Sequence, residues 1–474
     1  MTDPKRYFFC GIGGSGMLPL ALILADQGHI IEGSDRSLDQ GRTPAKFEYL
    51  RARGIRLYPQ DGSGVTSPEQ VVVASAAVED TVPDIAAALR VGAKRMSRAQ
   101  MLSALFNAAP TAIGVAGTSG KSTTTGMIAW ILHHAGKSPT VMNGAVMKNF
   151  QTPEALFASS LVGSSGIFVS EVDESDGSIA GYNPRVAVVS NISLDHKSMD
   201  ELRALFGGFA ARAETVVLNL DNDETARMAG DFPEAITYSL SHPEAQLFAS
   251  RIFPGADGIN FSVCDRTSNT EADIRLKTPG LHNASNALAA IAAAMACGVR
   301  LGEAAAALRE FTGIARRFDV IGTEGGVTVI DDFGHNPDKI AATLRTVNQF
   351  PGRVLVMFQP HGFGPLRNMR REFAECFAEN LDAEDILLMP EPAYFGGTVD
   401  RSVSSADLAA DIRALGRHAE ALGDRAACGA RLMELAEPGD RILVMGARDD
   451  TLTTFAEELL ARLAARRPDA AEPA

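Results

Sequence analysis

The chain has 474 residues, of which 46% are apolar and 22% charged, with a formal net charge of −14. That length predicts about three domains, and the composition is that of a globular protein. The acidic balance argues against nucleic acid as a partner, and no apolar run approaches the ~20 residues of a membrane span. Cys10, Cys264, Cys297, Cys376 and Cys428 are scattered without a CxxC pair. They carry no metal signature and suit a reducing cytoplasm. The N-terminus enters a strand at once, so no secretory leader is expected. A cytoplasmic protein with no membrane partner is expected, as a monomer or weak homodimer.

Residues 5 to 35 read as strand, glycine turn, helix and strand. Gly11, Gly13 and Gly16 fall in GxGxxG spacing, and the second strand ends at Asp35, 19 residues beyond Gly16. The glycines allow close backbone approach, the helix N-terminus suits a diphosphate, and the acid suits a ribose. Taken alone the pattern fits a nicotinamide dehydrogenase. Any nucleoside diphosphate, UDP-sugars included, suits the same turn. The segments GIRLYPQ, EQVVVASAA and GAKRMSRAQML continue the alternation of strand and helix. Ser75, at a strand end, and Arg98 are candidate sugar or phosphate contacts. They read equally well as a strand-end polar residue and a solvated arginine.

A second unit begins near residue 107. TAIGVAG reads as a buried strand, and GTSGKSTTTGMIAWIL follows as a glycine loop and a helix. Strand, glycine loop, Lys-Ser and helix is the order of a P-loop, whose backbone N–H groups cradle phosphate. Lys121 adds a cation for the outer phosphates, and the Ser122 hydroxyl can bind Mg²⁺. The match is to a shortened form, because Val115 stands where the first glycine of GxxxxGK[ST] belongs.

Further strands bring polar residues to the same sheet edge, where ligands of open parallel sheets sit. GIFVSEVDESDGS ends in Glu171, Asp173, Glu174 and Asp176, and RVAVVSNISLDH ends in Asn191, Asp195 and His196. Glu171 and His196 are candidate metal ligands. Glu174 and Asp176 read as caps and turn residues. His133 and His134 read as surface residues of a helix. Residues 230 to 278 show only short strand-like pieces. LHNASNALAAIAAAMACG then places Asn283 and Asn286 at the head of an Ala-rich helix, as caps or as base and ribose contacts. Arg316 and Arg317 fall in a linker, where they suit phosphate clamping or solvated charge. From about residue 319 a third doubly wound unit follows, with Asp331, Asp332, His335, His361 and Asp449 just past strand ends. The last ten residues form a polar Pro/Ala-rich tail, expected to be disordered.

In combination, GIGGSGM, GTSGKSTTT, EVDESDGS, SNISLDH, LHNASNALAA, GIARRFD, DDFGHNP and FQPH resemble the Mur ligase family over nearly the whole chain. The resemblance implies an α/β chain of three domains: a Rossmann-like UDP-sugar domain at 1–106, a P-loop ATPase domain at 107–317 and a Rossmann-like amino-substrate domain at 318–464. It implies an ATP- and Mg²⁺-dependent ligase of peptidoglycan synthesis that acts through an acyl phosphate. The substrates would be UDP-N-acetylmuramate and L-alanine, or alternatively a preformed L-Ala-γ-D-Glu-meso-diaminopimelate tripeptide.

Carried onto this chain, the family's UDP-sugar site falls on Gly11, Gly13, Gly14, Ser15, Gly16, Met17, Asp35, Ser75 and Arg98. Its ATP site falls on Gly117, Thr118, Ser119, Gly120, Lys121, Ser122, Thr123, Asn283, Asn286, Arg317 and Asp332. Ser122, Glu171 and His196 would hold metal. Lys121, Glu171, His196, Arg317 and His335 would be catalytic, and His335, His361 and Arg367 would meet the amino substrate. The chain departs from the alanine-adding members at Ser119 and Asn336, where they carry histidine. It departs again at GFGPLRN, which replaces an arginine-rich run and leaves Arg367. Asn149 and Phe150 resemble the tripeptide-adding members. Lys197 is not the carbamoylated lysine of other members.

Overall fold

The computed structural model describes residues 3–75, 78–194, 197–393, 400–447, 449 and 451–466. Asp195, His196 and the tail from 467 lie outside the described residues. The chain forms two compact units, one of Met1–Pro254 with Gly258–Ile314, the other of Ala315–Ala474 with Gly255–Asp257. Two sheets belong to the first unit and one to the second.

The first sheet has five parallel strands in the order Arg56–Tyr58, Ile30–Ser34, Arg6–Cys10, Gln70–Ala74, Lys94–Ser97. Phe8, Phe9 and Cys10 of the middle strand are buried, as a parallel sheet covered on both faces requires. Arg6–Cys10 pairs with Ile30–Ser34 on one side and Gln70–Ala74 on the other. This is the switch point at which a ligand crevice opens past the strand ends.

The second sheet has ten strands. At its centre Thr111–Ala116 lies between Val186–Val189 and Ile167–Glu171, all parallel. The register pairs Val115 with Glu171, so the strand feeding the phosphate loop ends beside that acid. Helices Lys121–His134 and Leu281–Ala296 pack on each other and on this sheet. Every residue from Ala287 to Ala294 is fully buried, and six of these eight are alanines, so the helices approach closely. The weak strand signal over 230 to 278 understates the structure. Leu247–Gly255, Gly258–Asp265 and Thr270–Leu276 are full strands, the last two antiparallel from Ile259↔Leu276 to Asp265↔Thr270. Ile259, Phe261 and Val263 face the core at alternate positions.

In the second unit the strand order is Asp319–Glu324, Val327–Asp332, Arg441–Gly446, Val354–Gln359, Ile386–Met389, His418–Ala421. The first pair is antiparallel and the rest are parallel. Apolar side chains are buried on both faces of this sheet. Asp332, Gln359 and Gly446 therefore end their strands on one edge.

Candidate active site

Gly120 caps the helix Lys121–His134 in a left-handed conformation, φ +82°, that a side chain adopts only with strain. A Cβ at Gly120 would also strike the Asn286 amide, so the helix packs directly against the loop. The loop is braced from the strand end at Val189. Thr118 N donates to Asn191 O at 3.1 Å, and Ser119 N donates to Asn191 Oδ1 at 2.9 Å. Thr118 Oγ1 exchanges hydrogen bonds with Ser193, and Asn143 Nδ2 holds Ser122 O at 2.9 Å. The first amides of the helix, at Lys121, Ser122 and Thr123, have no acceptor inside it and mark an anion-binding end.

Lys121 Nζ donates to Gly117 O at 2.6 Å and to Glu174 at 2.9 Å. Glu174 opens the turn to Gly177, as expected, but its buried side chain also meets the lysine. Asp176 fills the turn role too, accepting from Ser178 N at 2.9 Å. Ser122 Oγ donates to Glu171 at 2.8 Å. Asp173 is held below its ordinary value: burial pushes it up, but Lys121 and the Ser175 amide outweigh that. Two oxygens, Ser122 Oγ and Glu171, thus stand together at the phosphate loop. No group of three His, Cys, Asp or Glu side chains converges among the described residues. This donor set fits Mg²⁺, which takes one or two protein oxygens and completes its shell with phosphate and water. His196, the third expected ligand, lies outside the described residues.

Asn283 and Asn286 are not caps, because Gly280 occupies that position. Asn283 Nδ2 donates to Pro279 O at 2.7 Å, and Asn286 Oδ1 accepts from Thr124 Oγ1 at 3.2 Å. Both are buried and brace the loop from behind.

In the first sheet, Gly11 takes φ +82°, and the turn tip at Gly14 and Ser15 is exposed. Met17 is buried beneath it. Asp35 accepts from Gly13 N and Ser37 N, both at 2.8 Å. Its carboxylate therefore shapes the turn. Lys46, which the sequence did not single out, holds Gly13 O at 3.1 Å and is buried. Arg98 lies along the turn, its Cδ only 3.0 Å from where a Cβ of Gly16 would stand. It also helps to hold Asp173 down, so it is no mere solvated arginine. Ser75 is exposed just past Gln70–Ala74.

In the second unit Arg316 is buried and paired with Asp331 at 3.4 Å, and it donates to Gly446 O and Asp449 O. Arg316 is thus no solvated linker charge, and its guanidinium ties the ends of two strands together. Burial pushes Asp331 up to about 6, against the pull of Arg316. Arg317 lies 4.3 Å from the Phe333 ring centroid. Asp332 accepts from Phe318 N, Gly334 N and Thr343 Oγ1 at 2.8–3.0 Å. Asp332 was expected at the nucleotide; its carboxylate is engaged in forming the loop that carries His335. Asn336 caps Pro337–Val347, its side chain accepting from Lys339 N at 3.0 Å.

The His335 ring stands edge-on to Phe333 at 5.4 Å and to His361 at 5.1 Å. Its Nδ1 is 3.0 Å from Phe333 O. A carbonyl only accepts, so Nδ1 carries the hydrogen and Nε2 the lone pair. Burial, then Lys339, with His361 and Arg317 adding to it, pushes His335 down to about 3. Arg367 is paired with Asp400 at 2.7 Å on an exposed surface. In this arrangement its guanidinium is engaged by the aspartate.

A glycine loop between strand and helix, its lysine faced by buried acid, defines a P-loop nucleotide-binding protein with a second glycine turn on a neighbouring sheet. The chain matches the Mur ligase catalytic domain over residues 6–109, the Mur ligase middle domain over 115–294 and the Mur ligase glutamate ligase domain over 316–448. A UDP-N-acetylmuramate–L-alanine ligase of Synechococcus sp. (strain JA-3-3Ab) is 38% identical over 448 residues, covering 94% of this chain and 84% of that one. The crystal structure of a UDP-N-acetylmuramate-alanine ligase from Thermotoga maritima is similar with a TM-score of 0.78 at 24% identity, over 96% of this chain and 98% of that one. A murein peptide ligase from Psychrobacter arcticus 273-4 is similar with a TM-score of 0.70 at 25% identity, over 98% and 100%. The chain belongs to the Mur ligase family. That membership sets aside the nicotinamide dehydrogenase reading of the first glycine turn.

Proposed function

We propose that this chain is the ATP-dependent ligase that joins L-alanine to UDP-N-acetylmuramate in peptidoglycan synthesis, in the cytoplasm. The observation that carries the reading is the P-loop lysine among acids, in a chain 38% identical to an alanine ligase over 448 residues. The lactyl carboxylate of the sugar attacks the γ-phosphorus of ATP, and ADP leaves. The amine of alanine, as the free base, then attacks the acyl carbon; the C–N bond forms, the acyl C–O bond breaks, phosphate leaves, and the amine proton passes to solvent.

Two anions meet in the first step, so positioned positive charge dominates the barrier. Lys121 neutralises the migrating phosphoryl, and the loop and helix amides from Gly117 to Thr123 cradle the chain of phosphates. Ser122 and Glu171, with His196, would hold Mg²⁺. When bound, that ion offsets phosphate charge and polarises the γ-phosphoryl oxygen. The UDP diphosphate lies on the turn from Gly11 to Met17, which Asp35 and Lys46 shape, with Ser75 and Arg98 at its sides. Asn283 and Asn286 keep the loop in place. In the second unit Arg317, His335 and His361 form the amino-substrate surface. The neutral His335 accepts a hydrogen bond from an ammonium group that a charged imidazole would repel. The tripeptide acceptor is not favoured.

The test is ADP formation with UDP-N-acetylmuramate and a panel of amines, with products resolved by mass. Turnover with L-alanine is expected. A tripeptide product, or none with any amine, would overturn the assignment.

A further inference from the structure

The buried carboxylate of Glu174 has no use in the mechanism above. It follows Ile167–Glu171 by three residues and is fixed by a turn in which Gly177 N donates to Glu174 O at 3.1 Å. Its side chain is only 6% exposed and that of Lys121 is 19% exposed, so solvent screens their contact at 2.9 Å poorly. Asp173 adds a second carboxylate that feels the same lysine, and Glu171 stands at the next residue, Ser122. A phosphate reaching Lys121 therefore competes with Glu174 for the ammonium and lies beside its carboxylate. A nucleotide stripped of metal meets like charge there, whereas one carrying a divalent cation arrives with much of that charge offset.

We propose that Glu174 makes the phosphate site discriminate against metal-free nucleotide, by holding Lys121 until a cation-neutralised phosphate takes its place. The inference rests on the ligase reading. Glu174 touches neither reacting atom in this scheme and acts through Lys121, as a positioning residue. Exchanging one charge-assisted hydrogen bond and removing one adjacent charge is worth about tenfold in affinity.

The experiment is calorimetric titration of the full chain with the β,γ-imido analogue of ATP, once in EDTA and once in excess Mg²⁺. Glu174→Gln should bind the analogue about tenfold more tightly in EDTA and within about twofold of wild type in Mg²⁺. The ratio of the two dissociation constants should fall about tenfold. A merely structural glutamate would weaken binding in both conditions and leave the ratio alone. An unchanged ratio in a variant with wild-type melting overturns the inference. Should Glu174→Gln fold poorly, Glu174→Asp decides. It keeps the charge and withdraws it from Lys121 by one methylene, and no gain in metal-free affinity overturns the proposal. Wild-type protein that binds the analogue under neither condition would overturn the ligase reading and this inference with it.

Discussion

Lys121 and His335 both lie a few residues past the carboxyl end of a parallel strand, each in its own compact unit, and their surroundings are opposite in sign. Lys121 is a cation among Glu171, Asp173 and Glu174. His335 is a neutral ring beside Lys339, Arg317 and His361. The first setting gives a cation partners to exchange. The second keeps a titratable group neutral by burial and by neighbouring positive charge. Under the proposed function the same strand-end position would serve phosphate in one unit and an amine in the other, with local charge deciding which.

The largest effect is expected on the charged side. Lys121→Ala should abolish turnover, because one preorganised charge at a migrating phosphoryl is worth roughly 3 kcal/mol or more. Binding of UDP-N-acetylmuramate should persist, since the Gly11–Met17 turn lies on a different sheet. Near-normal turnover by this variant would remove Lys121 from the chemistry and collapse the contrast with His335.

The neutral side is tested by acid. His335 in the folded chain takes its proton only near pH 3, whereas unfolded histidine does so near 6.5. As pH falls from 7 to 5 the unfolded state gains a proton at this position and the folded state does not, so stability is lost. The loss is about 2 kcal/mol at pH 5, or roughly 5 °C in melting temperature. His335→Gln should show a correspondingly smaller drop between pH 7 and 5. The raised Asp331 works in the opposite direction, its proton favouring the fold as pH falls through about 6, but it is present in both proteins and cancels. Equal acid sensitivity in the two proteins would show that His335 is not held neutral.

A smaller effect is expected at the metal ligand. Glu171→Gln keeps the hydrogen bond from Ser122 and removes one charge from the cation site. Half-maximal rate should then need several-fold more Mg²⁺, equivalent to about 1 kcal/mol. An unchanged Mg²⁺ requirement would return Glu171 to the role of a strand-end acid.

Much of this contrast was legible in the sequence, and the rest had a physical reason to be hidden. The glycine loop, Lys121, Ser122 and Glu171 could be placed because strand, turn and helix signals fix where a strand-end side chain lies. Glu174 could not, because four acids in six residues after a strand look alike until the backbone turn selects which one is buried against the lysine. Lys46 was invisible for a similar reason. It lies 33 positions from Gly13, and only the packing of Pro44–Ala52 brings its amino group to the glycine turn. Arg316, Asp332 and the asparagine pair had the right chemistry for a ligand. All four are buried and hydrogen-bonded within the fold, partners that composition does not reveal.

The smallest expected effect concerns Arg367, the sequence-based candidate for the acceptor carboxylate. The GFGPLRN run leaves Arg367 as the nearby arginine, and a carboxylate wants a bidentate guanidinium. In the fold that guanidinium pairs with Asp400 at 2.7 Å, with side chains 43% and 58% exposed. Asp400 is itself held below its ordinary value, first by the Ser402 amide and only then by Arg367. An exposed pair of this kind contributes ~0–1 kcal/mol, and its arginine is already neutralised by the aspartate. Arg367→Ala should therefore leave KM for L-alanine within about twofold of wild type, with kcat unchanged, since no uniform binding is removed. The alanine carboxylate would then depend on the cations around His335, of which Arg317 stacks on Phe333. Arg317→Ala should raise KM for alanine well beyond the Arg367 variant. A tenfold rise in KM on Arg367→Ala would mean that the arginine leaves Asp400 for the substrate, and the acceptor surface would have to be redrawn around it.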